Sequence, residues 1–330
     1  MCHSKILLSA LLALNLLLVL ACSAHADEAL NAQDYMSRGI DHDSRGDKQA
    51  AELDFTAVIR LDPGNAEAFN RRGNVRAELG NNRGADQDYT KAIELNPYYA
   101  SAYDNRGWLR RRLHFIAGAI ADLNKAIEID PNTAGYYYDR ALCLSDRGDQ
   151  QAALADFSKA IDLNPKNGVY LIDRAREYRW NNDLENALAD YDRGLEILPK
   201  DANGLEGRGE TKRLLGDFQG AIADFNAALR EKPARWIDEH WCHVQRGLAL
   251  VSTGDLKAAS ADFDRVLAVQ PRYANALYGR GMVHLKQGDI QAAQKNFDLA
   301  VAVQPDLKQQ VAETLKTGGP TTASRPPTTR

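Results

Sequence analysis

The sequence predicts an all-α solenoid, a fold in which short helices pack pairwise in series along the chain. Prolines recur every 34 residues, runs of β-branched residues are rare, and Ala is frequent, which favours helix over strand. A fixed period of this length indicates stacked supersecondary units rather than one globular core. The series is Pro63, Pro97, Pro131, Pro165, Pro199 and Pro233, followed by Pro271 after 38 residues and Pro305 after another 34.

Each repeat has the same internal pattern when its proline is numbered position 32. Position 8 is Gly or Ala in all eight repeats, position 20 is always Ala, and position 24 is aromatic or Leu. Two antiparallel helices approach closely only where small side chains meet, and large side chains then fill the space beside the crossing. Proline at position 32 ends the second helix. Each repeat is therefore predicted to be a pair of antiparallel helices.

This pattern resembles the tetratricopeptide repeat family over residues 32–305. The resemblance implies a right-handed superhelix of helix pairs, in which the first helix of each repeat lines a concave groove that holds partner peptides or proteins. Residues 306–316, with Leu307, Val311 and Leu315 on one face, are predicted to form a capping helix that closes a solenoid spanning 27–316. The tail 317–330 is rich in Thr, Pro and Gly and is predicted to be disordered.

Residues 1–26 have the features of a cleaved export signal. Lys5 precedes the apolar run Ile6–Leu20, and Ala24-His25-Ala26 matches a signal-peptidase site. We expect a periplasmic or secreted protein. The alternative is a lipoprotein anchored to a membrane through Cys22, because Val19-Leu20-Ala21-Cys22 resembles a lipobox. Cys143 and Cys242 lie three repeats apart, too far for the roughly 7 Å Cα separation of a disulfide, so no bridge is predicted.

Arg occupies position 7 of every repeat, where the family pattern has Leu, and Asp occupies position 23 of all but the last. This predicts an Arg–Asp ladder along the array, acting either as a binding stripe or as structural pairing between helices. We favour structural pairing, because scaffolding recurs whereas binding sites vary between repeats. The residues are Arg38, Arg72, Arg106, Arg140, Arg174, Arg208, Arg246 and Arg280, with Asp54, Asp88, Asp122, Asp156, Asp190, Asp224, Asp262 and finally Asn296.

The resemblance places groove-facing side chains at positions 2, 5, 9, 12 and 13, and these positions differ between repeats. Repeats 3, 5 and 6 supply Arg and Trp there, which suit an acidic, partly aromatic peptide. An ordinary solvated face is the alternative. The predicted partner-binding residues are Trp108, Arg111, Arg112, Arg176, Arg179, Trp180 and Arg213.

The same positions in repeats 7 and 8 form an apolar stripe. It is expected to bind an amphipathic partner segment, to be covered by the C-terminal helix, or to mediate self-association, and the sequence leaves these three alternatives open. The residues of this stripe are Trp241, Val244, Leu248, Tyr278 and Met282.

Other function classes find little support in the sequence. The net charge of −4 lacks the basic footprint of nucleic-acid binding. His240 and His243 share the spacing of a metal pair, but no second half-site accompanies them, and a packed histidine is favoured at position 243. No phosphate-binding loop or hydrolase motif occurs, so no cofactor, metal or catalysis is predicted. The predicted function is a protein-binding scaffold in the cell envelope, or alternatively a self-associating structural subunit of an envelope complex.

Overall fold

The computed structural model describes residues 30–231 and 239–317, and within them the chain forms seventeen helices and no strand. The chain divides into two compact units, residues 1–131 and 132–330. Predictions about the export signal, Cys22 and the tail beyond Thr317 fall outside the described residues.

The first unit consists of three antiparallel helix pairs, which are repeats 1 to 3. Each pair places a first helix of 13 residues against a second helix of 14 residues. The helices are α1 (Ala32–Ser44), α2 (Lys48–Leu61), α3 (Ala66–Glu78), α4 (Asn82–Leu95), α5 (Ala100–Arg112) and α6 (Ile116–Ile129).

The second unit consists of five pairs, repeats 4 to 8, followed by a single helix. The single helix covers the segment predicted as a cap and runs one residue later at each end. The helices are α7 (Ala134–Arg147), α8 (Gln150–Leu163), α9 (Gly168–Trp180), α10 (Leu184–Ile197), α11 (Ala202–Leu214), α12 (Phe218–Arg230), α13 (Glu239–Thr253), α14 (Leu256–Val269), α15 (Ala274–Gln287), α16 (Ile290–Val303) and α17 (Leu307–Thr317). The prediction of eight tandem helix pairs is confirmed.

The turn inside each repeat requires a left-handed backbone at position 15. Six of the eight turns place Gly there, with φ between 81° and 91°. The other two use His114 (φ 62°) and Asn182 (φ 59°). Glycine adopts this conformation without a Cβ clash, whereas L side chains rarely do. In six repeats the next residue, at position 16, is an Asp or Asn whose side chain caps the second helix, as Asp47 does by accepting from the amide of Ala50.

The helix crossings confirm the predicted small-to-large packing. A Cβ added at Gly73 would lie 2.6 Å from the Tyr89 ring, and one added at Gly281 would lie 2.6 Å from Phe297. All eight Ala residues at position 20 are fully buried. A residue larger than Gly at these two positions would overlap the facing ring, so the small residue at position 8 allows the two helices of the repeat to approach closely.

The Arg–Asp ladder is present in seven repeats, and its interpretation as structural pairing is confirmed. In each one the Arg Nε and Nη2 atoms donate to the two carboxylate oxygens of the Asp sixteen residues later, at 2.5–3.0 Å. The seven carboxylates are 3–7% exposed. These buried charges are therefore paired in bidentate geometry, the strongest arrangement for a guanidinium and a carboxylate.

A third hydrogen bond extends the ladder between neighbouring repeats. In five repeats the Arg Nη1 atom donates at 2.6–3.2 Å to a polar side chain at position 25 of the preceding repeat. One guanidinium thus connects its own helix, the second helix of its repeat and the second helix of the repeat before. The acceptors are Thr56, Thr90, Ser158, Asp192 and Asn226.

Candidate functional site

In the first unit, helix α5 carries an exposed pair of Trp and Arg side chains. Trp108 is 41% exposed, and the Arg112 guanidinium lies 4.8 Å from the centroid of its ring. Arg112 Nη2 also donates to Asn82 Oδ1 at 2.7 Å and to the Ala77 carbonyl at 3.3 Å. These bonds fix Arg112 against the preceding repeat, so the tryptophan is held in place while part of its surface stays accessible. Arg111, predicted beside them, is half-buried on the same helix.

In the second unit, helix α9 carries an equivalent pair in reverse order. Trp180 is 36% exposed, and the Arg176 guanidinium lies 5.5 Å from its ring centroid. Arg176 is anchored by Asp173 at 2.8 Å. Both units therefore present an Arg–Trp stack at repeat positions 9 and 13 of a first helix, where the sequence predicted partner-binding residues.

Arg179 and Arg213 do not lie on an open surface, which corrects the expectation for these two residues. They are 8% and 7% exposed. Arg179 Nη1 lies 2.6 Å from Glu210 Oε2, so position 12 of repeat 5 pairs with position 9 of repeat 6. The physical reason is that first helices of consecutive repeats pack side by side. Burial has the largest single effect and opposes the charge of Arg179, but Glu210, Tyr191 and Glu206 together outweigh it and raise the pKa of the guanidinium above its ordinary value.

Arg213 is a buried cation for which the described part of the chain supplies no carboxylate partner of its own. Burial lowers its pKa, Glu210 offsets this in part, and the charge of Arg179 lowers it further. Its Nε and Nη2 atoms have no hydrogen-bond partner among the residues that the structure describes. In the ladder, the same two atoms of each arginine donate hydrogen bonds to the aspartate carboxylate. A carboxylate brought to these two atoms of Arg213 would complete the same bidentate geometry.

Gln245 on the neighbouring first helix α13 is a buried polar residue that sequence reasoning missed. It is fully buried, and within the described ranges neither its Oε1 nor its Nε2 atom has a hydrogen-bond partner. The sequence does contain a feature that could have identified it. The run from Trp241 to Val251 is mostly apolar, and Gln245 is its one amide side chain, beside the polar residues His243 and Arg246. Buried amides without partners are uncommon in folded proteins, so Gln245 adds to the unsatisfied polar groups of these first helices.

Tyr191 on α10 reaches this charged region because residue 207 has no side chain. The ring is 1% exposed, and its hydroxyl forms a hydrogen bond with Arg179. A Cβ at Gly207 would lie 2.4 Å from that hydroxyl. Position 24 is Phe in most repeats, so the Tyr191 hydroxyl is a local addition that supports the Arg179–Glu210 pair.

The apolar stripe of repeats 7 and 8 is part of the core and not an open docking face. Its five predicted residues are 0–3% exposed. Leu307 and Val311 of α17 belong to the same core cluster, and the Tyr278 hydroxyl lies 2.6 Å from Thr314 Oγ1. Of the three alternatives left by the sequence, coverage by the C-terminal helix is the one observed at Tyr278. An exposed partner site on this stripe is therefore wrong.

The histidine and cysteine residues are packed inside the repeats. His243 Nδ1 lies 2.8 Å from Asp262 Oδ1, which confirms the preference for a packed histidine. Cys143 and Cys242 are buried and are not joined in a disulfide, and burial raises the pKa of Cys242 to about 12. Among residues 30–231 and 239–317, no group of three or more His, Cys, Asp or Glu side chains is placed to hold a metal ion. Nor does any helix in these ranges have the length and apolar character needed to cross a bilayer.

Replacing Gly207 with Ala is expected to destabilise the second unit by about 1–3 kcal/mol, because the new methyl group overlaps the Tyr191 ring. Chemical denaturation followed by circular dichroism measures this cost. Gly135→Ala is the matched control. It also replaces a glycine in a helix with alanine, but the added Cβ meets nothing within 4 Å. Equal stability of the two variants would contradict the close approach of Tyr191.

Comparison with protein families gives one consistent result. A family model described as tetratricopeptide repeat matches residues 36–100, 172–235 and 244–306, and a second model of the same description matches residues 134–167. The first model alone covers more than half of the chain. No curated protein sequence matches the chain.

Three solved structures are similar to this chain in fold. The Cut9–Hcn1 hetero-tetramer of the APC/C aligns with a TM-score of 0.59 and 16% identity over 86% of this chain, which spans only 55% of that chain. A tetratricopeptide repeat protein from Parabacteroides merdae aligns with a TM-score of 0.55 and 19% identity over 80% of this chain and 98% of its own. The type IV pilus biogenesis factor PilW aligns with a TM-score of 0.58 and 20% identity over 65% and 97%.

Proposed function

The chain belongs to the tetratricopeptide repeat family, and from this premise we propose that it is a non-catalytic scaffold that binds a protein or peptide segment along its first helices. The observation that carries the proposal is the pair of exposed Arg–Trp stacks, Trp108 with Arg112 and Trp180 with Arg176. Trp and Arg dominate the energetics of protein interfaces, because each offers a large contact area together with directional polar groups.

The chemistry of these helices favours an acidic, partly aromatic ligand. Arg112 and Arg176 each use their Nη2 atom within the protein, but a guanidinium has five N–H donors, and the others can donate to a carboxylate while the exposed indole contacts an aromatic or aliphatic side chain. The residues of the apolar stripe are buried, so they offer no exposed surface for self-association.

The peptide-binding proposal is tested with the full chain and a random peptide library displayed on phage. We expect enriched peptides to combine Asp or Glu with aromatic residues. We expect the double variant Trp108→Ala/Trp180→Ala to bind them at least tenfold more weakly by fluorescence anisotropy, since truncating interface anchors typically costs about 2 kcal/mol or more. Both rings are partly exposed, so the helical fold should survive, as circular dichroism would verify.

Tyr98→Ala provides the control, because Tyr98 is 80% exposed and lies in the turn between repeats, away from the first-helix surface. Its affinity for the enriched peptides should match that of the wild type. Unchanged binding by the double Trp variant would rule out the Arg–Trp stacks as the binding surface. Failure to enrich any peptide would count against a peptide ligand.

We also propose that this scaffold acts after export, on the strength of the apolar run Ile6–Leu20 and the Ala24-His25-Ala26 site. Expression of the full chain in a bacterial host, with mass spectrometry of its N terminus, should find Asp27 as the first residue in the periplasmic or secreted fraction. A lipidated Cys22 in the membrane fraction, released by Cys22→Ser, would identify the anchored form instead. An intact Met1 in the cytoplasmic fraction would contradict export.

A further inference from the structure

The last rung of the Arg–Asp ladder keeps its arginine but has lost its carboxylate. Asn296 on α16 stands where the other seven repeats have Asp. Arg280 Nε still donates to Asn296 Oδ1 at 2.8 Å, but the Asn296 amide nitrogen is a donor and bonds the Ala292 carbonyl at 2.8 Å. Within the described residues, Arg280 Nη2 has no hydrogen bond. One half of the bidentate pair is therefore missing.

In several repeats the ladder carboxylate also pairs with a second basic residue, at position 11, so its absence leaves two basic groups without this partner. In repeats 2, 3 and 6 a cation at this position shares the ladder carboxylate with the arginine, at 2.8–2.9 Å. The cations are Arg76, Arg110 and Lys212. In repeat 8 the corresponding residue is His284. The last repeat thus keeps a basic side chain at position 7 (Arg280) and at position 11 (His284), but has the neutral amide of Asn296 where the other repeats have the carboxylate.

These side chains line a cavity of about 430 Å³ between α14, α15 and α16. Lys295 adds a second permanent positive charge to that of Arg280. Of the described residues that line it, Asp264 alone carries a carboxylate; its Oδ1 lies 3.5 Å from Arg280 Nη1, and its Oδ2 accepts a hydrogen bond from Ser260 at 3.2 Å. The side chains that line the cavity therefore carry a net positive charge. In the other repeats the ladder arginine is neutralised by its aspartate.

We propose that this cavity is a binding site for an oxyanion, a carboxylate or phosphate group, that takes the place of the missing aspartate. The ligand oxygen would accept from Arg280 Nη2, and Lys295 and His284 would supply further donors around it. Charge-assisted hydrogen bonds of this kind are the stronger ones in proteins, and a guanidinium fork suits both carboxylate and phosphate. The site lies on the ladder side of repeat 8, and it is independent of the Arg–Trp stacks.

Isothermal titration of the full chain with inorganic phosphate, and separately with acetate, tests the proposal at constant ionic strength. Wild type should bind at one saturable site per chain. Asn296→Asp supplies the missing carboxylate within the protein, so its affinity should fall at least tenfold. Gln309→Glu is the matched control, because it makes the same amide-to-carboxylate change at an exposed position of α17 outside this cavity, and its affinity should stay within twofold of wild type.

The two anions distinguish the source of the ligand group. Tighter binding of phosphate identifies a phosphate site, and equal or tighter binding of acetate identifies a carboxylate site. Asn296→Asp restores the residue that pairs in the other repeats, so its thermal unfolding midpoint should not fall below that of wild type, which separates lost binding from lost folding. Equal affinity of Asn296→Asp and wild type, equal losses in both variants, or no saturable binding to wild type would overturn the proposal.

Discussion

The bidentate hydrogen bond between arginine at position 7 and aspartate at position 23 is the interaction on which the other features of the repeats depend. Burying a carboxylate alone costs several kcal/mol, so each ladder aspartate is stable inside its repeat only with the guanidinium in place. The third bond of the arginine reaches the preceding repeat. The bidentate pair therefore fixes the register of the two helices in a repeat, and where the third bond is present it also fixes that repeat against the preceding one.

This ladder leaves the opposite side of the first helices free to vary. Positions 9, 12 and 13 do not take part in the recurrent packing, and they differ from repeat to repeat. Some of these residues still serve packing, as Arg179 does through Glu210. Others, such as Trp108 and Trp180, retain exposed area beside a fixed arginine. A uniform scaffold with a variable surface is the arrangement that a peptide-binding solenoid requires.

The sequence was sufficient for features that repeat. The proline period, the small residues at position 8 and the paired Arg and Asp recur in register, so eight weak local signals reinforce one prediction. It was insufficient where burial depends on two residues far apart in the chain. Arg179 is buried because Glu210 follows one repeat later, and Tyr278 is buried because α17 supplies Thr314. Asn296 is visible in the sequence as an exception, but the cavity around it appears only when three helices are packed together.

A double-mutant cycle on Arg174 and Asp190 tests the structural role of the ladder most directly. Their two hydrogen bonds measure 2.6 and 2.9 Å, and Asp190 is 4% exposed. Removing either partner by Arg174→Leu or Asp190→Leu should cost about 3 kcal/mol, because a charge is left buried without its partner. The double variant should cost clearly less than the sum of the singles, with a coupling free energy of at least about 1 kcal/mol. Additive losses, with no coupling, would contradict the account.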